Sequence, residues 1–74
     1  MNLQKARRLA KKSICDKILN CGNKIEKTRY YGKKYGKHIF LIEITGKNIW
    51  ELKKVKVSDK MGSVESDTVR RIIL

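Results

Sequence analysis

The sequence predicts an α+β fold: an N-terminal amphipathic helix, a three-stranded antiparallel meander and a short C-terminal helix (α-β-β-β-α). Three observations predict it. Apolar residues recur at helical spacing in the first turns of the chain. The middle holds β-branched and aromatic runs separated by glycine turns. Near the end, Ser66-Asp67 precedes Val69, Ile72 and Ile73 at a spacing that suits one helix face. At 74 residues, 41% of them hydrophobic, residues 1–74 are expected to form a single basic α+β domain with a thin core.

Residues 2–12 read as the helix, with Leu3, Ala6, Ala10 and Ile14 on one side. Lys5, Arg8 and Lys12 fall opposite, and Arg7 and Lys11 flank the apolar stripe. Ala, Leu, Lys and Arg are strong helix formers. The periodicity favours a helix continuing to Asn20, stopped by Gly22. The rival reading makes residues 14–20 a strand.

Residues 25–31 suit a strand, and Gly32 to Lys37 reads as a glycine-punctuated turn. Residues 38–45 form the strongest strand. Phe40, Ile42 and Ile44 share one face while Ile39 and Leu41 share the other, as in a central strand. Gly46-Lys47 turns into residues 48–57, where Trp50 is expected in the core. Val55 and Val57 lie on the opposite parity to Trp50 and Leu52, and a bulge at Lys53-Lys54 would bring all four to one face. Ser58 to Ser63 reads as a loop. The rival to the C-terminal helix is a strand from Thr68 to Leu74.

The charge is lopsided. Residues 1–37 carry a balance of +10 and residues 38–74 one of +2, together the net +12 of the chain. Self-repulsion of this size adds nothing to compactness, so a polyanionic partner is expected, DNA or RNA. Arg29, Lys33, Lys34 and Lys37 are interleaved with Tyr30, Tyr31 and Tyr35, a pattern suited to phosphate contact with ring packing on sugar or base. The helix offers Lys5, Arg7, Arg8, Lys11 and Lys12 for phosphates, and Lys53, Lys54 and Lys56 form a third basic cluster. The nucleic-acid-binding set is therefore Lys5, Arg7, Arg8, Lys11, Lys12, Arg29, Tyr31, Lys33, Lys34, Tyr35, Lys37, Lys53 and Lys54. Lysine-rich contacts of this kind give affinity with little sequence reading.

Other chemistry is sparse. His38 is the one catalytic candidate, as a general base. Cys15, Cys21 and His38 lack zinc-site spacing and a fourth ligand, so neither metal nor cofactor is expected. Two cysteines are too few for a disulfide framework and point to reduced thiols in a cytoplasmic protein. The apolar runs are too short to span a membrane, and the helix lacks the Trp or Phe of a surface-lying one, so no membrane partner is expected. The composition, rich in Lys and Ile, points to an AT-rich coding genome, and the expected nucleic-acid-binding protein is read as a phage or mobile-element product. A monomer is open, as is a homodimer burying Ile39, Leu41 or Ile72-Ile73-Leu74.

The predicted layout resembles double-stranded-RNA-binding domains. Where that family opens its second helix with lysines, Ser63-Val64-Glu65-Ser66-Asp67 is acidic here. Gly36-Lys37-His38-Ile39-Phe40 and Thr68-Val69-Arg70-Arg71-Ile72-Ile73 resemble segments of HicA-type mRNA-cleaving toxins, a resemblance that implies a catalytic His38. A sheet followed by a helix is also similar to the sheet-in-groove domains of some integrases. The expected function is nucleic-acid binding; the alternatives are a HicA-like ribonuclease using His38 and a phage-type inhibitor docking its basic face on an acidic host protein.

Overall fold

A computed structural model of the chain describes residues 1–18 and 24–74, with the side chains of residues 16–18 outside that description. One helix, α1 (Leu3–Ile18), precedes four strands: β1 (Lys24–Lys34), β2 (Lys37–Thr45), β3 (Ile49–Ser58) and β4 (Val64–Ile73). The strands form one antiparallel sheet in the order β1-β2-β3-β4. The fold is α+β, as expected, with a fourth strand in place of the C-terminal helix.

The helix extends past the first twelve residues, against the rival strand over 14–20. The proposed stop at Gly22 lies outside the described residues. Asn2 caps its start: the Lys5 amide donates to Asn2 Oδ1 at 2.8 Å. Ala6, Ala10 and Ile14 are buried against the sheet, with Leu9 packed beside them, while Leu3 is exposed. The two alanines present only a methyl group, so the helix backbone can approach Phe40, Ile42, Ile44, Val55 and Val57 closely. These five are the largest fully buried side chains.

Cross-strand register assigns every paired strand residue to a face, because directly paired residues point the same way. Phe40 pairs with Tyr30 and Val55, and Ile42 with Thr28 and Lys53. That face lies under the helix. Ile39, Leu41, Leu52 and Trp50 point to the other face, which no element among the described residues covers. Trp50 is therefore half-buried on the open side rather than in the core. The expected bulge at Lys53-Lys54 is absent too. Leu52 pairs with Arg70 and Lys53 with Thr68, so the extra residue is Val69 on β4. With β3 regular, Trp50 and Leu52 stay on the face opposite Val55 and Val57.

The C-terminal segment is a strand for two reasons. Val64, Thr68, Val69, Ile72 and Ile73 are β-branched and favour extended backbone. The outer backbone groups of β3 also need partners, and residues 64–73 supply them. The Gly32–Lys37 turn is shorter than the glycines suggested. β1 continues through bulges at Glu26 and Tyr31 to Lys34, leaving a two-residue turn in which Tyr35 and Gly36 both have positive φ, 52° and 71°. This is the type I′ pattern of tight hairpins.

Thr28 Oγ1 is buried on the helix side and, among the described residues, has no hydrogen-bond partner. Replacing it with an isosteric methyl removes that desolvation cost. Thr28→Val should raise unfolding stability by about 1 kcal/mol in urea titration; a loss of stability would mean the hydroxyl is satisfied.

Candidate nucleic-acid interface

The open face gathers cations from all four strands. By register, β1 contributes Lys24, Lys27, Arg29 and Lys34; β2 contributes Lys37; β3 contributes Lys54 and Lys56; β4 contributes Arg70. Among the described residues, register places the acids Glu43, Glu65 and Asp67 on the same face, and the bulged Glu26 reaches it too, 3.3 Å from Lys24 and accepting from Thr45 Oγ1 at 3.2 Å. At the end nearest the β1–β2 turn the cations converge. Lys34, Tyr35, Lys37, Ile39, Lys54 and Lys56 line a recess of about 200 Å³. Four lysines thus border the recess beside Ile39, and among the described residues no acid lines it. One of them, Lys37, also reaches Glu65 at 3.3 Å.

Two tyrosines stand beside this recess. Tyr35 is 98% exposed at the hairpin tip. The left-handed backbone it occupies disfavours most residues other than Gly, with Asn the best-tolerated exception. A large aromatic ring held in solvent at a strained position does nothing for stability. Tyr31, the bulged residue, is 62% exposed, and Lys34 Nζ lies 6.0 Å from its ring centre, at the outer limit of a cation–π contact.

Asp59 fixes the hairpin that carries these groups. It lies in the β3–β4 loop, and its backbone amide donates to the Gly36 carbonyl at 2.9 Å. Its carboxylate accepts from Lys33 Nζ at 2.9 Å and pairs with His38 Nε2 at 2.9 Å. The Lys33 hydrogen bond, reinforced by the His38 bond, holds the Asp59 carboxyl far below the usual carboxylate range. His38 is 7% exposed, and its Nδ1 lies 3.0 Å from Tyr30 Oη. With Nε2–H donating to Asp59, Nδ1 is left to accept from the tyrosine hydroxyl, so both ring nitrogens are engaged. One of these two bonds must open before His38 can take a proton from a ligand.

The residues singled out from the sequence fall into three groups. Arg29, Tyr31, Lys34, Tyr35, Lys37 and Lys54 come together at or beside the open face. Lys5, Arg7, Arg8, Lys11 and Lys12 are exposed on the helix, on the far side of the sheet. There, Arg7, Arg8 and Lys11 border a shallow depression with Gln4. The first helical turn holds no acid, and its one cation, Lys5, opposes the helix dipole instead of complementing it. Lys33 and Lys53 point to the helix side and are engaged internally. Lys53 Nζ donates to Thr68 Oγ1 at 2.7 Å and lies 3.4 Å from Glu51, which also holds Arg71 at 3.1 Å. Lys24, Lys27, Lys56 and Arg70 join the open face without having been assigned to the binding set. Their signal was strand parity, which becomes readable once the register is known.

Among the described residues, no group of three His, Cys, Asp or Glu side chains is placed to hold a metal ion, and no helix is long and apolar enough to cross a membrane. No protein-family model, curated protein or solved structure matches the chain.

The depressed Asp59 titration has a stability consequence with a definite sign. An unfolded aspartate titrates near pH 4. The folded-state stabilisation from this carboxylate is complete above that value and drains away as pH falls toward the much lower folded value. Asp59→Asn should lower the melting temperature at pH 7 and flatten its decline below about pH 4. A mutant whose acid limb parallels the parent would show that the Asp59 charge adds nothing.

Proposed function

We propose that this chain binds nucleic acid by charge and shape, through the open face of its sheet. The observation that carries this reading is the recess of Lys34, Lys37, Lys54 and Lys56 around Ile39, with Tyr35 at its rim. Lysine ammonium groups act as point charges for phosphate, and an exposed tyrosine ring offers a stacking surface for a base. Arg29, Lys24 and Lys27 continue the positive surface along β1 and give a backbone a track to follow. Lysine supplies little base reading, so sequence preference is modest. The helix cations face away from this track. A ligand on the sheet meets them only by wrapping around an edge.

A second reading draws on one feature of the same face. Leu41, Leu52 and Trp50 form a half-buried apolar row beside the cations, and an acidic protein would bury such a row more fully than a nucleic acid. The two partners separate in one titration set. Affinity for duplex DNA, single-stranded DNA and duplex RNA is measured at several salt concentrations, with host lysate pull-down alongside.

Charge reversal at Lys54→Glu/Lys56→Glu should weaken nucleic-acid binding by more than about tenfold across sequences. It should also flatten the log–log salt slope by roughly 2, near one unit per lost phosphate contact. Arg8→Glu/Lys12→Glu changes the net charge equally and should alter affinity far less. Equal losses from both pairs would assign binding to overall charge rather than to the open face. Trp50, the chain's one tryptophan, reports on that face directly, and its fluorescence should change on binding.

Tyr35 gives an independent check. Asn adopts the left-handed conformation more readily than Tyr. Tyr35→Asn should therefore stabilise the fold by about 0.5–1 kcal/mol while weakening nucleic-acid affinity severalfold. A variant that is more stable and binds equally well would remove the ring from the interface.

A further inference from the structure

The two edges of the sheet are built differently. β1 carries bulges at Glu26 and Tyr31 and a dense run of lysines, devices that keep an edge from pairing with another chain. β4 has a single bulge, at Val69, and exposes Val69 and Ile73 at 55% and 77%. Its charges are divided along its length: Glu65 and Asp67 lie in the first half, Arg70 and Arg71 in the second. A strand with this polarity is complementary to itself when reversed.

We propose that β4 pairs antiparallel with β4 of a second copy of this chain, about a two-fold axis beside Thr68 and Val69. The pairing sets Asp67 opposite Arg70 of the second copy, Ser66 opposite Arg71, and Val64 opposite Ile73. The bulge makes this possible. In a regular strand a two-fold antiparallel pairing matches residues of the same parity. The extra residue at Val69 shifts that parity, so Asp67 and Arg70 lie on one face and Ser66 and Arg71 on the other.

The backbone agrees with this register. The Ser58 amide donates to the Ser63 carbonyl, and the Leu74 amide donates to the Asn48 carbonyl. Inward-facing groups at 63 and 74, with alternation along the strand, turn the peptide groups of residues 64, 66, 71 and 73 outward. These are the positions that the proposed register joins by hydrogen bonds. The result is a symmetric, isologous dimer with one continuous eight-stranded sheet. Its open face is twice as long and carries two lysine recesses. The inference rests on the edge alone and stands whether or not that face binds nucleic acid.

Sedimentation equilibrium on the full chain tests it, with circular dichroism confirming that each variant is folded. The parent should reach twice its 8.6 kDa monomer mass at micromolar to millimolar concentration. Asp67→Arg and Arg70→Asp each set like charges face to face twice per dimer and should weaken self-association by more than about tenfold. An equimolar mixture of the two variants restores both ion pairs and should recover the dimeric mass. Ser66→Pro removes an outward amide without touching the β3–β4 ladder and should give a folded monomer. A parent that stays monomeric at millimolar concentration overturns the proposal. So does a dimer that survives all these substitutions, or a mixture that fails to reassociate.

Discussion

One helix covers one face of a four-stranded sheet, and the rest of the molecule follows from that asymmetry. Under the helix, Phe40, Ile42, Ile44, Val55 and Val57 meet Ala6, Ala10 and Ile14, and the core is sealed. On the other face, Ile39, Leu41, Leu52 and Trp50 have no second layer among the described residues. Long cationic side chains solve part of this problem. The aliphatic stems of Lys34, Lys37, Lys54 and Lys56 can lie over apolar floor while their ammonium groups stay in water. The open face is thus semi-apolar at its base and strongly positive at its surface, a composition that a single-layer sheet requires and a polyanion can use.

The strand pattern made β2 readable, because a run apolar on both parities has to sit inside a sheet. The first helix was readable too, since its apolar residues keep one period and no proline interrupts it. β4 was harder. Val69, Ile72 and Ile73 fit one helix face, and Ser66-Asp67 fits a cap, so local preference allowed both answers. Hydrogen-bonding demand from the outer edge of β3 decided for the strand, and that demand is invisible until β3 is known to be central. Trp50 was misplaced for a related reason. Assigning it to the core required a phase correction on β3, whereas the chain carries its bulge on β4.

The candidate site was legible in composition and illegible in arrangement. Arg29 to Lys37 announces itself as a basic, tyrosine-rich segment, yet neighbours in that run serve opposite sides. Lys33 holds Asp59 on the helix side and Lys34 lines the recess. The same split separates Lys53 from Lys54. A period of two makes adjacent lysines different kinds of residue, one a structural partner and the other a surface charge. Asp59 gave no sign at all, because a lone aspartate in a loop acquires its role only when two turns meet at one end of a sheet.

That meeting explains how a repulsive cluster is held in place. Bringing four lysines around one recess raises the local potential, and solvent screening alone would let the hairpin tip splay away. Asp59 opposes this from the neighbouring loop. Its amide holds Gly36, and its carboxylate holds Lys33 and His38, so the tip is tied on the side away from the recess. The anchor adds no acid to the recess itself, and the recess stays positive. Tyr35 is then carried at the tip in a conformation its side chain disfavours, by a hairpin whose base is fixed. Stability would be better served by acid partners for Lys34, Lys54 and Lys56, as Glu65 partners Lys37, and by an asparagine in the turn. Both deviations lie at the same end of the sheet, beside the same anchor, and both run against what the fold alone would favour.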